Sequence, residues 1–280
     1  MPDLDAVEAT PTTGTPTTGT PPSGAESTWA VAGQELRDLW LSGRGVAMLL
    51  AYTVLLSIAT YLIASNQELN FLEQREAVSL TLQLAVAVGG LLVVLVAADA
   101  VSGERERGTL ESLLLTPAPR RSIIVGKGVA ALSLWIGAFA LAVPYLWWIG
   151  RDVDTFGVAF VGGLVVGTLL ALALTGIGLL ISAFSQSNGL SLALSFVVLL
   201  ALYIPHQMPA EATRGWAGEL VLKLDPFSAG LLYLERLIVN SHSLSQDLGL
   251  LVVPALCAVV LPTVAVLVGD RLRLLPRSGS

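Results

Sequence analysis

Six stretches of this sequence are apolar enough to cross a lipid bilayer as helices, and no other feature constrains its fold as strongly. They cover residues 46–64, 78–101, 128–149, 156–184, 189–204 and 248–268. A bilayer core of roughly 30 Å takes about 20 helical residues. The fifth stretch is short and is closed by Pro205. In lipid a segment must satisfy its own backbone donors and acceptors, so each stretch is expected to be helical. The composition agrees. With 54% hydrophobic and 13% charged residues and a mean hydropathy of +0.75, the chain has too little polar surface for a soluble domain of this length.

Arginine and lysine give the chain a direction. Arg37 and Arg44 precede the first stretch, Arg105, Arg107, Arg120, Arg121 and Lys127 lie between the second and third, and Arg271, Arg273 and Arg277 follow the sixth. The alternate connections are acidic or balanced: one holds Arg75 against Glu68, Glu73 and Glu76, the other Arg151 against Asp152 and Asp154. Basic loops stay in the cytoplasm, so both termini and the 102–127 loop are expected there. The 205–247 segment is then external. A net charge of -6 argues against a nucleic-acid partner, which would need a basic face. The single cysteine, Cys257, excludes an internal disulfide and reads as a small apolar residue inside a span.

Outside the spans the patterns are shorter. Residues 1–26 repeat Thr, Pro and Gly with little to bury, and are expected to be a disordered cytoplasmic tail. Residues 28–42 set Trp29, Leu36, Leu39 and Trp40 against Glu35, Arg37 and Asp38. With Ser27 or Thr28 as its cap, this is an amphipathic helix expected to lie on the cytoplasmic face. Externally, Asp225 is placed to cap a helix that has Pro226 at its first position, followed by Phe227. Phe227, Leu231, Leu232 and Leu234 would turn an apolar face to the outer leaflet or the bundle, as a lid. His206 and Met208 are two soft ligands in this segment, too few to define a metal site, and His242 reads as a solvent-exposed loop residue.

The charge that the spans exclude gathers between Asp99 and Lys127. Gly108 is expected to end the helix of the second span, and Thr109 to cap a new one with Glu111 in its first turn. Leu110, Leu113 and Leu114 then make one apolar stripe, and Pro117 and Pro119 stop the helix. So short a helix is unstable alone, so its leucines call for a partner's groove. Asp99 lies about a turn from Arg105 and is expected to find a local partner there. Arg105, Arg107, Arg120, Arg121 and Lys127 would anchor the loop at the headgroups.

The stretch DAVSGERERGTLESLLLTPAPRRSIIVGK, residues 99–127, closely resembles the loop after the second span in type-2 ABC transporter permeases. It is most similar to the branch holding the nitrous-oxide-reductase maturation and sodium-efflux permeases. LDPFSAG, residues 224–230, is similar to an external motif of that family. The resemblance runs from about Ser27 to the end and leaves out the Thr/Pro/Gly tail. It implies an all-α integral membrane fold: six transmembrane helices, a cytoplasmic coupling helix, and short external helices before the last span. It further implies that Glu104, Glu106, Gly108, Thr109, Leu110, Glu111, Leu113 and Leu114 dock onto an ABC ATPase subunit, and that a second permease subunit completes the complex.

The chain has no phosphate-binding loop of its own, since GKGV at Gly126 lacks both the glycine spacing and the hydroxyl residue. ATP and magnesium are therefore expected in the partner, with no cofactor and no metal on this chain. Neither a zinc-protease helix nor a serine-hydrolase elbow is present, so the chain is not expected to be an enzyme. The expected function is a plasma-membrane permease that moves an unspecified cargo, in the export direction. The alternative is an anchor or scaffold that recruits a cytoplasmic partner and moves nothing.

Overall fold

The computed structural model describes residues 24–65, 71–108, 120–208 and 215–269. Among them the structure is all helical. Its elements are α1 (Gly24–Leu41), α2 (Arg44–Ala64), α3 (Phe71–Arg107), α4 (Arg120–Gly150), α5 (Phe156–Phe184), α6 (Asn188–Gln207), α7 (Trp216–Leu224), α8 (Pro226–Ile238) and α9 (Val252–Gly269). One 3₁₀ turn, Arg151–Val153, follows α4 and another, Leu248–Leu251, leads into α9. Six helices are long and apolar enough to cross a membrane: α2, α3, α4, α5, α6 and the 248–269 segment. The expected Thr/Pro/Gly tail and the stretch carrying Thr109, Leu110, Glu111, Leu113 and Leu114 fall outside the described residues.

α5 is the hub, touching α3, α4, α6, α8 and α9. Apolar burial alone gives lipid-bathed helices little reason to associate, so close backbone approach matters more. Gly178 lies against the backbone of α3, where a Cβ would stand 2.8 Å from the Val94 carbonyl oxygen. At Gly176 a Cβ would stand 2.5 Å from the Leu261 carbonyl carbon and from the Pro262 nitrogen of α9. Backbone on both sides cannot move aside for a side chain. Gly176→Leu is therefore expected to destabilise the protein by about 3 kcal/mol or more. Thermal unfolding in detergent checks this, and a midpoint equal to wild type would show that α9 is not held by this contact.

Several boundaries differ from the sequence expectation. α3 has 37 residues, so at about 1.5 Å per residue it is roughly 55 Å long and overshoots any bilayer core. α6 continues through Pro205 to Gln207, because a proline in the last turn forfeits only one helical hydrogen bond. Pro254 sits in the first turn of α9, where no donor is needed, and Pro262 lies inside the helix. α1 begins at Gly24, so Thr28 does not cap it; the Thr28 hydroxyl donates to Ser122 Oγ of α4 at 2.8 Å.

α1 runs along the first half of α4 and is more than a headgroup float. Val31 and Ala32 close onto Gly126, and Trp40 Nε1 donates to Ser133 Oγ at 3.1 Å. Trp29 alone of its aromatic pair stays open, at 73% exposure.

α8 starts as the sequence predicts. Asp225 accepts from the backbone N–H of Phe227 at 3.1 Å and of Ser228 at 2.9 Å, with Pro226 at the first position. Burial raises the Asp225 carboxyl pKa, and these capping bonds oppose the rise. The helix then buries Phe227, Leu231, Leu234 and Ile238 in the bundle, with Phe227 edge-on to Tyr203 of α6. Of the two surfaces the sequence allowed, the apolar face meets the bundle.

Candidate functional site

The end of α3 carries charge on several faces, and each face meets a different helix. Asp99, Ser102 and Glu106 follow helical spacing and face the start of α6. There Asn188 bridges all three: its Nδ2 donates to Asp99 Oδ1 at 2.7 Å, its Oδ1 accepts from Ser102 Oγ at 3.1 Å, and its backbone N–H donates to Glu106 Oε2 at 3.0 Å. The last bond satisfies an amide that a helix N-terminus leaves open, with the sign of charge that end prefers. Arg105 points to the neighbouring helix end. It donates to the carbonyl oxygens of Ser185 and, at 3.2 Å, Ala183, where the C-terminus of α5 favours a cation.

Arg105 is thus not the partner of Asp99. Asp99 Oδ2 pairs with Arg44 Nη1 at 2.5 Å, and with Arg107 Nη2 at 3.6 Å across Gly103. A Cβ at Gly103 would collide with the Asp99 carboxylate, so glycine makes room for the pair. Arg44, read from sequence as a topology marker, joins α2 to α3.

Lys127 departs furthest from expectation. It is not a headgroup anchor: it is 4% exposed, and its Nζ lies 2.8 Å from Glu35 Oε1 of α1 and 2.5 Å from Glu104 Oε1 of α3. An ammonium held in protein needs paired charge. Two carboxylates from different helices supply it. The signal for this was in the sequence: a lone lysine opening an apolar span requires an acid, and Glu35 is on the adjoining helix. Asn188, one residue ahead of the fifth apolar stretch, gave no such signal.

These groups border a cavity of about 190 Å³ lined by Glu35, Asp38, Arg44, Asp99, Glu104, Arg107 and Lys127. The arrangement is a network of ion pairs and hydrogen bonds. Each strong base is matched to an acid, and no group of three metal-ligating side chains occurs among the described residues. What it can do is tie α1, α2, α3, α4 and α6 together where α3 ends. Gly108 closes α3 with φ 72° and an N–H bonded to Arg105 O at 3.3 Å. Arg120 and Arg121 stand exposed at the start of α4, and Thr109, Leu110, Glu111, Leu113 and Leu114 of the predicted docking set lie beyond the described residues. The network sits at both roots of that loop.

At the other end of the bundle Asp247 joins α8 to the approach of α9. It accepts from His242 Nδ1 at 2.6 Å and Arg236 Nη1 at 2.9 Å, which lowers its pKa, the histidine contact foremost.

Residues 29–269 match the sequence profile of the ABC-2 family transporter proteins. The chain is also 30% identical over 188 residues to the probable ABC transporter permease protein NosY of Stutzerimonas stutzeri, a match covering 61% of this chain and 66% of that protein. Six membrane-length helices and a family match across most of the length agree: the chain belongs to the ABC-2 transporter family, as a multi-pass membrane permease subunit.

Proposed function

We propose that this permease is one half of a dimeric exporter, driven by an ATPase that docks on the loop between α3 and α4. One observation carries the reading: the ion-pair network gathers five helices at the two roots of that loop. A push on the loop then displaces α1, α2, α3, α4 and α6 as a connected body. In this reading Leu110, Leu113 and Leu114 fill a groove on the ATPase, while Thr109 and Glu111 cap the docking helix. ATP and magnesium belong to the ATPase. The Arg and Lys distribution supports an orientation with both termini cytoplasmic, and in this reading the membrane is the plasma membrane. The apolar faces of α2, with Leu50 63% and Val54 57% exposed, are left for lipid or the second permease subunit.

Topology tests the reading directly. In a Cys257→Ala background, single cysteines at Asp154 and Ser245 should react with an impermeant thiol reagent added outside intact cells, and a cysteine at Ser112 should not. Labelling of Ser112 from outside overturns the docking proposal, because ATP and its hydrolysis are cytoplasmic.

A further inference from the structure

The helices α4 and α5 leave an apolar groove of about 490 Å³ between them, open sideways between the exposed Ile136 and Leu164. We propose that it holds one acyl chain of a membrane phospholipid, whose phosphate is met by Arg151.

The floor of the groove is fixed, and its indole N–H is already bonded. Trp135 lies on bare backbone of α5, since a Cβ at Gly167 would collide with its ring, and a Cβ at Gly163 would stand 3.1 Å from Phe139 Cε2. Trp135 Nε1 donates to Thr168 Oγ1 at 3.1 Å, which takes that donor out of the wall. Phe160 packs on Phe139 with ring centroids 5.6 Å apart. No lining residue is charged. Water gains nothing in such a groove, and an empty one forfeits the contacts its walls could make.

Its dimensions choose the occupant. From Leu132 to Val143 on α4 and from Phe160 to Leu172 on α5, the groove is about 17 Å long. Spread over that length, 490 Å³ makes a channel about 5 Å across; packed carbons sit about 4 Å apart, so one hydrocarbon chain fills it. A helix from a second copy, about 10 Å across, is too wide to enter.

The headgroup end is marked on the same face of α4. Ile136, Ala140 and Val143 follow helical spacing, and Trp147 and Arg151 continue it toward the turn into α5. Trp147 is exposed, as tryptophan is at a headgroup boundary, and the Arg151 guanidinium lies 5.7 Å from its ring centroid. Among the described residues Arg151 has one ion pair, an exposed contact with Asp152 at 3.6 Å, weak enough to leave the guanidinium for a phosphate. It stands about 12 Å along the axis from Val143, which leaves room for the glycerol esters. The topology proposed above makes this the outer leaflet, but the site itself does not rest on that orientation.

The test is native mass spectrometry of the full chain, extracted in detergent from vesicles of palmitoyl-oleoyl phosphatidylcholine. Wild type should keep one phospholipid per chain after loosely held lipid is washed away. Ala140→Trp and Leu164→Trp, which fill the groove from either rim, should each lower retention about tenfold or more. Arg151→Gln should weaken it about tenfold, the scale of one charge-assisted hydrogen bond. Val54→Trp, on the exposed face of α2, should change nothing. All four positions are exposed, so the variants should elute as wild type in gel filtration. The proposal is overturned if wild type keeps no phospholipid, if Val54→Trp loses as much, or if retention is unchanged in both groove variants or in Arg151→Gln. Groove variants that lose a dimer and keep the lipid overturn it as well.

Discussion

Lys127→Met should lower the stability of the permease by about 3–5 kcal/mol, the cost of removing one member of a buried ion pair. Methionine nearly matches the lysine in volume, so the loss measures charge and not a cavity. The damage lies in what remains. Glu35 and Glu104, both drawn to within 2.8 Å of the same nitrogen, would face each other with their shared cation gone. One of them must take up a proton or swing away, and swinging away takes α1 off α4. Unfolding followed by tryptophan emission in detergent reads the loss. Cleavage by a protease near Ser42 and Gly43, between α1 and α2, should accelerate in parallel. Lys127→Met combined with Glu35→Gln and Glu104→Gln should recover most of the stability, because no unpaired charge is left. If the single variant unfolds with wild type, the triad does not hold α1, and the connected-body account of the loop fails with it.

Leu110→Asp with Leu114→Asp should abolish capture of the ATPase while the permease still inserts. Placing carboxylates in an apolar groove costs on the order of several kcal/mol, which weakens binding by roughly three powers of ten or more. No span is touched, so expression and gel-filtration behaviour should match wild type. The measurements are co-purification with an ABC ATPase and ATP hydrolysis coupled to transport. Wild-type levels of both in the double variant would remove the docking assignment. Loss of the ATPase, together with no vectorial transport by the wild-type complex under any condition, would favour a scaffold over a permease half.

Two features separate the parts of the molecule that local chemistry settles from those it leaves open. The 225–238 helix begins where Asp-Pro says it must, because a cap and its first turn are made from neighbouring residues. The Asp225 side chain reaches the amides two and three positions on. Arg105 and Arg107 show the opposite. Both follow Asp99 on one helix, yet one turns to the end of α5 and the other back to Asp99. Sequence spacing could not choose between them, because the choice is made by the carbonyls and carboxylates that other helices present.

The sequence by itself determined six spans, their apolar length and the break at Gly108. These follow from side-chain transfer into lipid and from backbone hydrogen bonding within one segment, and both are local properties. Which face of each helix is buried was decided only by the tertiary structure, since lipid and protein interior are equally apolar and hydropathy cannot tell them apart. For Lys127 the sequence showed a charge inside an apolar run but not the partners that hold it. A lysine at the mouth of a span reads as an anchor in water, and only the arrival of Glu35 and Glu104, 92 and 23 residues away along the chain, makes it a buried tie between helices.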